Sequence, residues 1–127
     1  YGNTAPTGEG QAIRAFDGDV QVYNSVVALS GLNAIHAESG GNITVAYTAL
    51  QYWVAGNHNL IVPPEMTDPG NGDFTLQATS PLIDAGFGDL APAVDFLGLT
   101  RADDPQTADT GGGTPTWIDM GAYEYLP

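Results

Sequence analysis

Ala12-Ile13-Arg14-Ala15 returns 22 residues later as Ala34-Ile35-His36-Ala37. Each copy runs into a glycine-containing turn, Asp17-Gly18-Asp19 in the first and Ser39-Gly40-Gly41 in the second. Beyond the turn the match continues at an offset of 23, Val20-Gln21-Val22 against Ile43-Thr44-Val45, then Asn24 with Tyr47, Ser25 with Thr48, Val26 with Ala49 and Val27 with Leu50. The shared order of short strand, glycine turn, alternating strand and apolar pair is a repeat. A period of this length belongs to solenoids, in which each unit lays its strands against those of its neighbours. Leucine-rich repeats have a similar period but need a leucine frame, and here Val, Ile and Ala fill the repeating positions.

The expected fold is therefore all-β: a short right-handed parallel β-helix of two to three coils, followed by an irregular C-terminal capping tail. Strand alternation points Ile13, Val20, Val22, Ile35, Ile43 and Val45 inward, with the small Ala15 and Ala37, and sends Arg14, Gln21, His36 and Thr44 to solvent. A third coil begins at Asn59-Leu60-Ile61-Val62, and Pro63-Pro64 ends its pairing because neither proline carries an N–H. No segment has the apolar spacing and caps of a helix. The organisation expected is an extended arm over 1–10, coils over 11–79, and a cap and loop region over 80–127.

Composition narrows the partners. Two Lys+Arg against 15 Asp+Glu give a formal charge of −13, and both cations, Arg14 and Arg101, are arginines. So acidic a chain has almost nothing with which to neutralise phosphates, which excludes nucleic acid and anionic membrane surfaces. No apolar run is long enough for membrane insertion. At 43% hydrophobic residues there is enough apolar material for one core, and without cysteine there are no disulfides or thiolate metal sites. The chain starts at Tyr1 rather than Met, as expected of a processed product or a piece of a longer protein.

The second half carries a family resemblance. Asn71-Gly72-Asp73-Phe74-Thr75-Leu76, then Ser80-Pro81-Leu82-Ile83-Asp84-Ala85-Gly86, Asp95-Phe96-Leu97-Gly98-Leu99-Thr100-Arg101 and the ending Ile118-Asp119-Met120-Gly121-Ala122-Tyr123-Glu124-Tyr125 resemble the C-terminal end of secreted bacterial right-handed parallel β-helix proteins of the broad pectate-lyase-like architecture. The resemblance implies an extracellular or cell-surface location and a capping role for the tail. It does not imply lyase activity. Where that family often has Asp-x-Asp-Gly, Phe96-Leu97-Gly98 lacks the second carboxylate.

Candidate sites follow from residue chemistry. A polysaccharide lyase or hydrolase needs carboxylates converging on one strand face and, for a lyase, a cationic base. The repeat supplies neither, so no catalytic residue is assigned. Arg14 and His36, one coil apart, form a candidate ligand ladder. Asp68, Asn71 and Asp73 in one turn are a candidate calcium site, but without the full oxygen frame that hard cations require they read first as solvated turn acids, as do Asp103, Asp104 and Asp109 in theirs; no cofactor is expected. Arg101 is expected to be buried and to clamp the tail through Asp84, Asp95 or Asp119, as a bidentate guanidinium does.

Nothing apolar in the arm would cover the first coil, so Tyr1, Ile13, Val20 and Val22 are the expected assembly interface. The partner would be a second copy, head-to-tail into a filament, or upstream coils of the same protein. The functional expectation is an extracellular structural module working by self-assembly. The alternative is the terminal piece of a carbohydrate-binding or polysaccharide-cleaving protein, with Tyr47, Tyr52 and Trp53 as a sugar platform.

Overall fold

A computed structural model describes residues 1–4, 11–28, 30, 31 and 33–127. The repeat forms parallel pairs. Strand β1 (Ile13–Ala15) lies beside β3 (Ile35–Ala37), and β2 (Gly18–Val27) beside β4 (Gly41–Leu50). The register sets Ile13 against Ile35, Arg14 against His36, Val20 against Ile43 and Val22 against Val45. β2 and β4 bend at the same level. Asn24 and Tyr47 both adopt positive φ, +48° and +47°, and this is the one level at which the ladder skips a pair. Gly41 is required by its surroundings, since a Cβ there would meet the Ala15 carbonyl oxygen at 2.5 Å.

The expected β-helix is not what forms. The described strands make three separate two-stranded sheets, β1–β3, β2–β4 and an antiparallel pair of β5 (Met66–Asp68) with β6 (Asp73–Leu76). No closed or solenoid sheet and no stack of coils joins them among the described residues. Pairing stops for identifiable reasons. The segment that should supply a third strand gives only the isolated bridge Ala49–Leu60. Asn59 turns its side chain onto β4, donating from Nδ2 to the Val45 carbonyl at 3.1 Å and accepting the Thr48 N–H at 3.2 Å. Gly56 packs so close to the Val45 carbonyl that a Cβ would overlap it. A loop thus covers the outer side of β4 where a third strand would lie, and Pro63-Pro64 then diverts the chain into the antiparallel pair.

Alternation holds in part. Val22 and Val45 are buried with Val27 and Leu50, while Ile13, Val20, Ile35 and Ile43 pack against that cluster and remain half-exposed. Ala15 is buried, but Ala37 is exposed. A second cluster gathers Ala49 and Leu76 with Leu82, Ile83, Ala85 and Met120, and joins the tail to the strands. The tail has no regular element beyond the short 3-10 turn Gly88–Leu90. Met120 N–H reaches the Leu82 carbonyl at 3.0 Å, Gly86 N–H the Ile118 carbonyl at 2.6 Å and Gly121 N–H the Asn24 carbonyl at 2.9 Å. Asn24 completes the docking, since its side chain accepts the Phe87 N–H at 2.6 Å and donates to the Phe87 carbonyl at 2.9 Å. No helix among the described residues is long and apolar enough to cross a membrane.

Candidate functional site

Among the described residues two regions stand out, one for its chemistry and one for its apolar groove. The first is the acidic interior of the tail. Arg101 Nη1 meets Glu124 Oε2 at 2.6 Å, with side chains 8% and 0% exposed. The expected partners Asp84, Asp95 and Asp119 are not its ion-pair partners, a correction with a clear cause. Asp95 and Asp119 are committed to backbone. Asp95 Oδ1 accepts the N–H groups of Leu97 and Leu99 and its Oδ2 that of Glu124. Asp119 Oδ1 accepts the Asp84 N–H at 2.8 Å and its Oδ2 the Tyr125 N–H at 2.6 Å. Glu124 Oε1 also takes the Ala102 N–H at 3.0 Å, so one glutamate ties the arginine and its following residue to the C-terminal segment. Arg101 itself also donates from Nε to the Pro92 carbonyl.

These environments move the carboxyl pKa values in opposite directions. For Asp95, burial raises it, but the N–H groups of Leu99, Glu124 and Leu97 and the nearby Arg101 charge outweigh that and hold it below the ordinary value. For Asp119, burial dominates and pushes it to about 7 against the opposition of the Tyr125 and Asp84 N–H groups, with the Glu124 and Asp84 charges adding to the rise. Asp84 rises to about 6, first through burial and then through the charges of Asp103 and Asp109. The Asp104 N–H lies near enough to offset part of this without making a hydrogen bond to the carboxylate.

Asp84 is the unusual member. It is fully buried, with positive φ of +52°, and neither carboxylate oxygen has a hydrogen-bond partner. Oxygens of Asp84, Asp103 and Asp109 lie within 4.8 Å of one another. The expected calcium turn behaves differently. Asn71 Nδ2 donates to Asp68 Oδ2 at 2.8 Å, and Asp73 Oδ1 accepts both the N–H and the hydroxyl of Thr75. Those Thr75 hydrogen bonds lower the Asp73 pKa. That turn satisfies itself. The sequence carried a signal for the other cluster, an aspartate inside the apolar run Leu82-Ile83-Asp84-Ala85, which forces a carboxyl into the core.

The second region is an apolar groove of about 560 Å³ between the second half of β2, the β5–β6 pair and the tail, with Val26, Met66, Phe74, Leu76, Phe96 and Tyr123 on its walls. Tyr1 sits in it at 5.9 Å from the Phe74 ring, while Gly2 N–H reaches the Ala28 carbonyl at 2.9 Å. The described start of the arm therefore folds onto its own chain, and the rest of the expected arm, 5–10, lies outside the described residues. Of the interface residues expected from sequence, Tyr1 is exposed, Ile13 and Val20 are half-exposed and Val22 is buried.

Arg14 and His36 are cross-strand neighbours as the ladder requires, but Arg14 forms an ion pair with Glu38. Tyr47 is sandwiched between His58, at 4.6 Å and nearly parallel, and Phe87 at 4.9 Å. It is a packing residue here, leaving Tyr52 and Trp53 exposed in the following loop. No protein-family model, curated protein or solved structure matches the chain.

Proposed function

We propose that the chain is an extracellular structural module that associates with further copies of itself, through the outer edge of β1 and β2 and the apolar groove beside it. The observation that carries this reading is the edge left unpaired among the described residues. Among the described residues β1 pairs only with β3 and β2 only with β4, and the tail takes one carbonyl of β2, at Asn24. Unpaired strand edges next to exposed apolar surface are the usual substrate of chain-to-chain pairing. A strand from a second copy would find there a register the chain already uses, glycine against glycine as in Gly18 and Gly41, and valine against valine as in Val22 and Val45. The rim of the groove supports the same occupant, because Phe96 is 76% exposed. The tail motifs that resemble the ends of secreted bacterial proteins support a location outside the cell or on its surface.

Covering apolar surface contributes roughly 2.5 kcal/mol per ~100 Å². Repulsion between two chains of charge −13 opposes it and is screened by salt. Sedimentation of the pure chain at low and high salt tests the reading. The expected result is association that strengthens with salt and is lost in Phe96→Ser. A monomer at every salt concentration overturns it.

A further inference from the structure

We propose that Asp84, Asp103 and Asp109 form a binding site for one calcium ion at the junction of the tail with the strand-built core. Clustered acids alone would be a solvated surface. Here one of them is not on the surface. Asp84 is 0% exposed and has no hydrogen-bond donor on either oxygen, and its carboxylate faces those of Asp103 and Asp109, which are open to solvent. A carboxylate buried without a donor is costly, because burial strips its hydration and returns nothing. A bound dication would supply the missing partner.

The chain has no positive side chain to spare for this role. Its two cationic residues are Arg14 and Arg101, and they are held by Glu38 and Glu124. Nor is the cluster an accident of a floppy loop. Asp104, between the two exposed ligands, turns inward and is itself buried, accepting the Gln106 N–H at 3.0 Å and the Thr107 hydroxyl at 2.9 Å. Asp103 precedes that turn and Asp109 follows it. The N–H groups of Thr110 and Gly111 both bond the Asp84 carbonyl at 2.9 Å, fixing the end of the loop against the very residue whose carboxylate it faces. Thr116 Oγ1 holds one oxygen of Asp109 at 2.9 Å.

The donor set favours calcium among the common dications, because Ca²⁺ takes carboxylate oxygens in flexible geometry and fills its shell with water, whereas Mg²⁺ demands near-ideal octahedral geometry and dehydrates reluctantly. One oxygen from each of the three carboxylates lies within 4.8 Å of the other two, so a small adjustment of the exposed side chains brings all three onto one ion. The open side toward solvent leaves room for the waters that complete its coordination.

Isothermal titration calorimetry of the chelator-treated full chain with calcium chloride, paired with thermal unfolding, tests the site. The expected result is saturable binding of one ion per chain, a melting temperature that rises with Ca²⁺, and weaker binding of Mg²⁺. Asp84→Asn should weaken binding by about tenfold or more, because ligand charge sets calcium affinity. Its neutral amide tolerates the positive φ of this position, so without calcium the variant should melt no lower than the parent. Asp109→Asn, on an exposed side chain, gives the same weakening independently of folding, and Asp73→Asn in the self-satisfied turn leaves binding unchanged. Absence of saturable binding, equal affinity for Mg²⁺, or binding that survives both the Asp84 and the Asp109 substitution would overturn the proposal. These outcomes are independent of whether the chain self-associates.

Discussion

The strand pairs over residues 13–50 and the tail over 80–127 are held together by different physics. In the first, backbone ladders between β-branched segments set the geometry, and polar side chains such as Arg14, Gln21 and Thr44 point to solvent. In the second there is almost no ladder, and carboxylates do the joining: Asp95 gathers three backbone N–H groups, Asp119 two, and Glu124 one N–H and an arginine. The comparison teaches that an irregular segment can be as firmly specified as a sheet when buried acids replace the missing ladder bonds. Such a segment is also the more brittle of the two. Each acid serves several backbone groups, so one substitution orphans all of them.

The largest expected effect therefore lies in the tail. Arg101→Ala leaves Glu124 buried and unpaired, and breaking a buried pair in this way costs about 3–5 kcal/mol. Urea unfolding at neutral pH should show it as a lowered midpoint. A loss below about 1 kcal/mol would mean that the ion pair contributes no more than a surface pair does, and the contrast between the two regions would fail.

Val45→Ala tests the strand half. Val45 is buried between Val22, Val27 and Leu50, and removing most of a buried valine side chain should cost about 1.5–3 kcal/mol. Because the ladder itself is untouched, the parallel register should survive, with amide protection in β2 and β4 retained. Loss of protection throughout both strands would show that side-chain packing, not backbone pairing, defines this half.

The same contrast explains what could be read from the chain. The pairing of Ile13 with Ile35 and of Val22 with Val45 was legible because a repeat aligns like residues, and parallel strands put aligned residues side by side. That the coils fail to close was not, because Asn59 and Gly56 lie against β4, a side-chain and close-approach effect that periodicity does not encode. In the tail, burial of Arg101 was legible from its place among the acid-bearing motifs that resemble a capping tail, but its partner was not. Asp84, Asp95, Asp119 and Glu124 are equivalent as letters, and what separates them is which backbone N–H groups each one meets. Asp103 and Asp109 could be grouped in one loop and Asp84 stood out as an acid inside an apolar run, but their meeting could not be read, because Asp84 lies 19 and 25 positions before them with no shared motif.

A smaller, reversible effect should appear with pH in the presence of chelator. Asp84 and Asp119 have folded pKa values raised to about 6 and about 7, above the ordinary 3.8, so the folded state favours their protonated forms. Their contribution to stability is then fully present below pH ~4 and is lost as pH rises through the folded values. The melting temperature should fall between about pH 5 and pH 8. Asp95, with its pKa held low, acts in the opposite sense at the acid end, since its contribution is lost as pH falls below the carboxylate range. A melting temperature flat or rising from pH 5 to pH 8 without divalent ions would show that the two buried acids are solvated in the folded chain.

The smallest effect belongs to the other arginine. Arg14 pairs with Glu38 on the surface of β1, its side chain 44% exposed, where water screens the charges and two long side chains lose freedom to meet. Such pairs contribute about 0–1 kcal/mol, so Arg14→Ala should move the unfolding midpoint little, and high salt should erase even that difference. With the same residue type in both regions, the ratio of the two arginine effects measures the contrast directly. A cost for Arg14→Ala comparable to that for Arg101→Ala would require the β1–β3 pair to depend on its ion pair, and would make the strand half as reliant on side-chain charge as the tail.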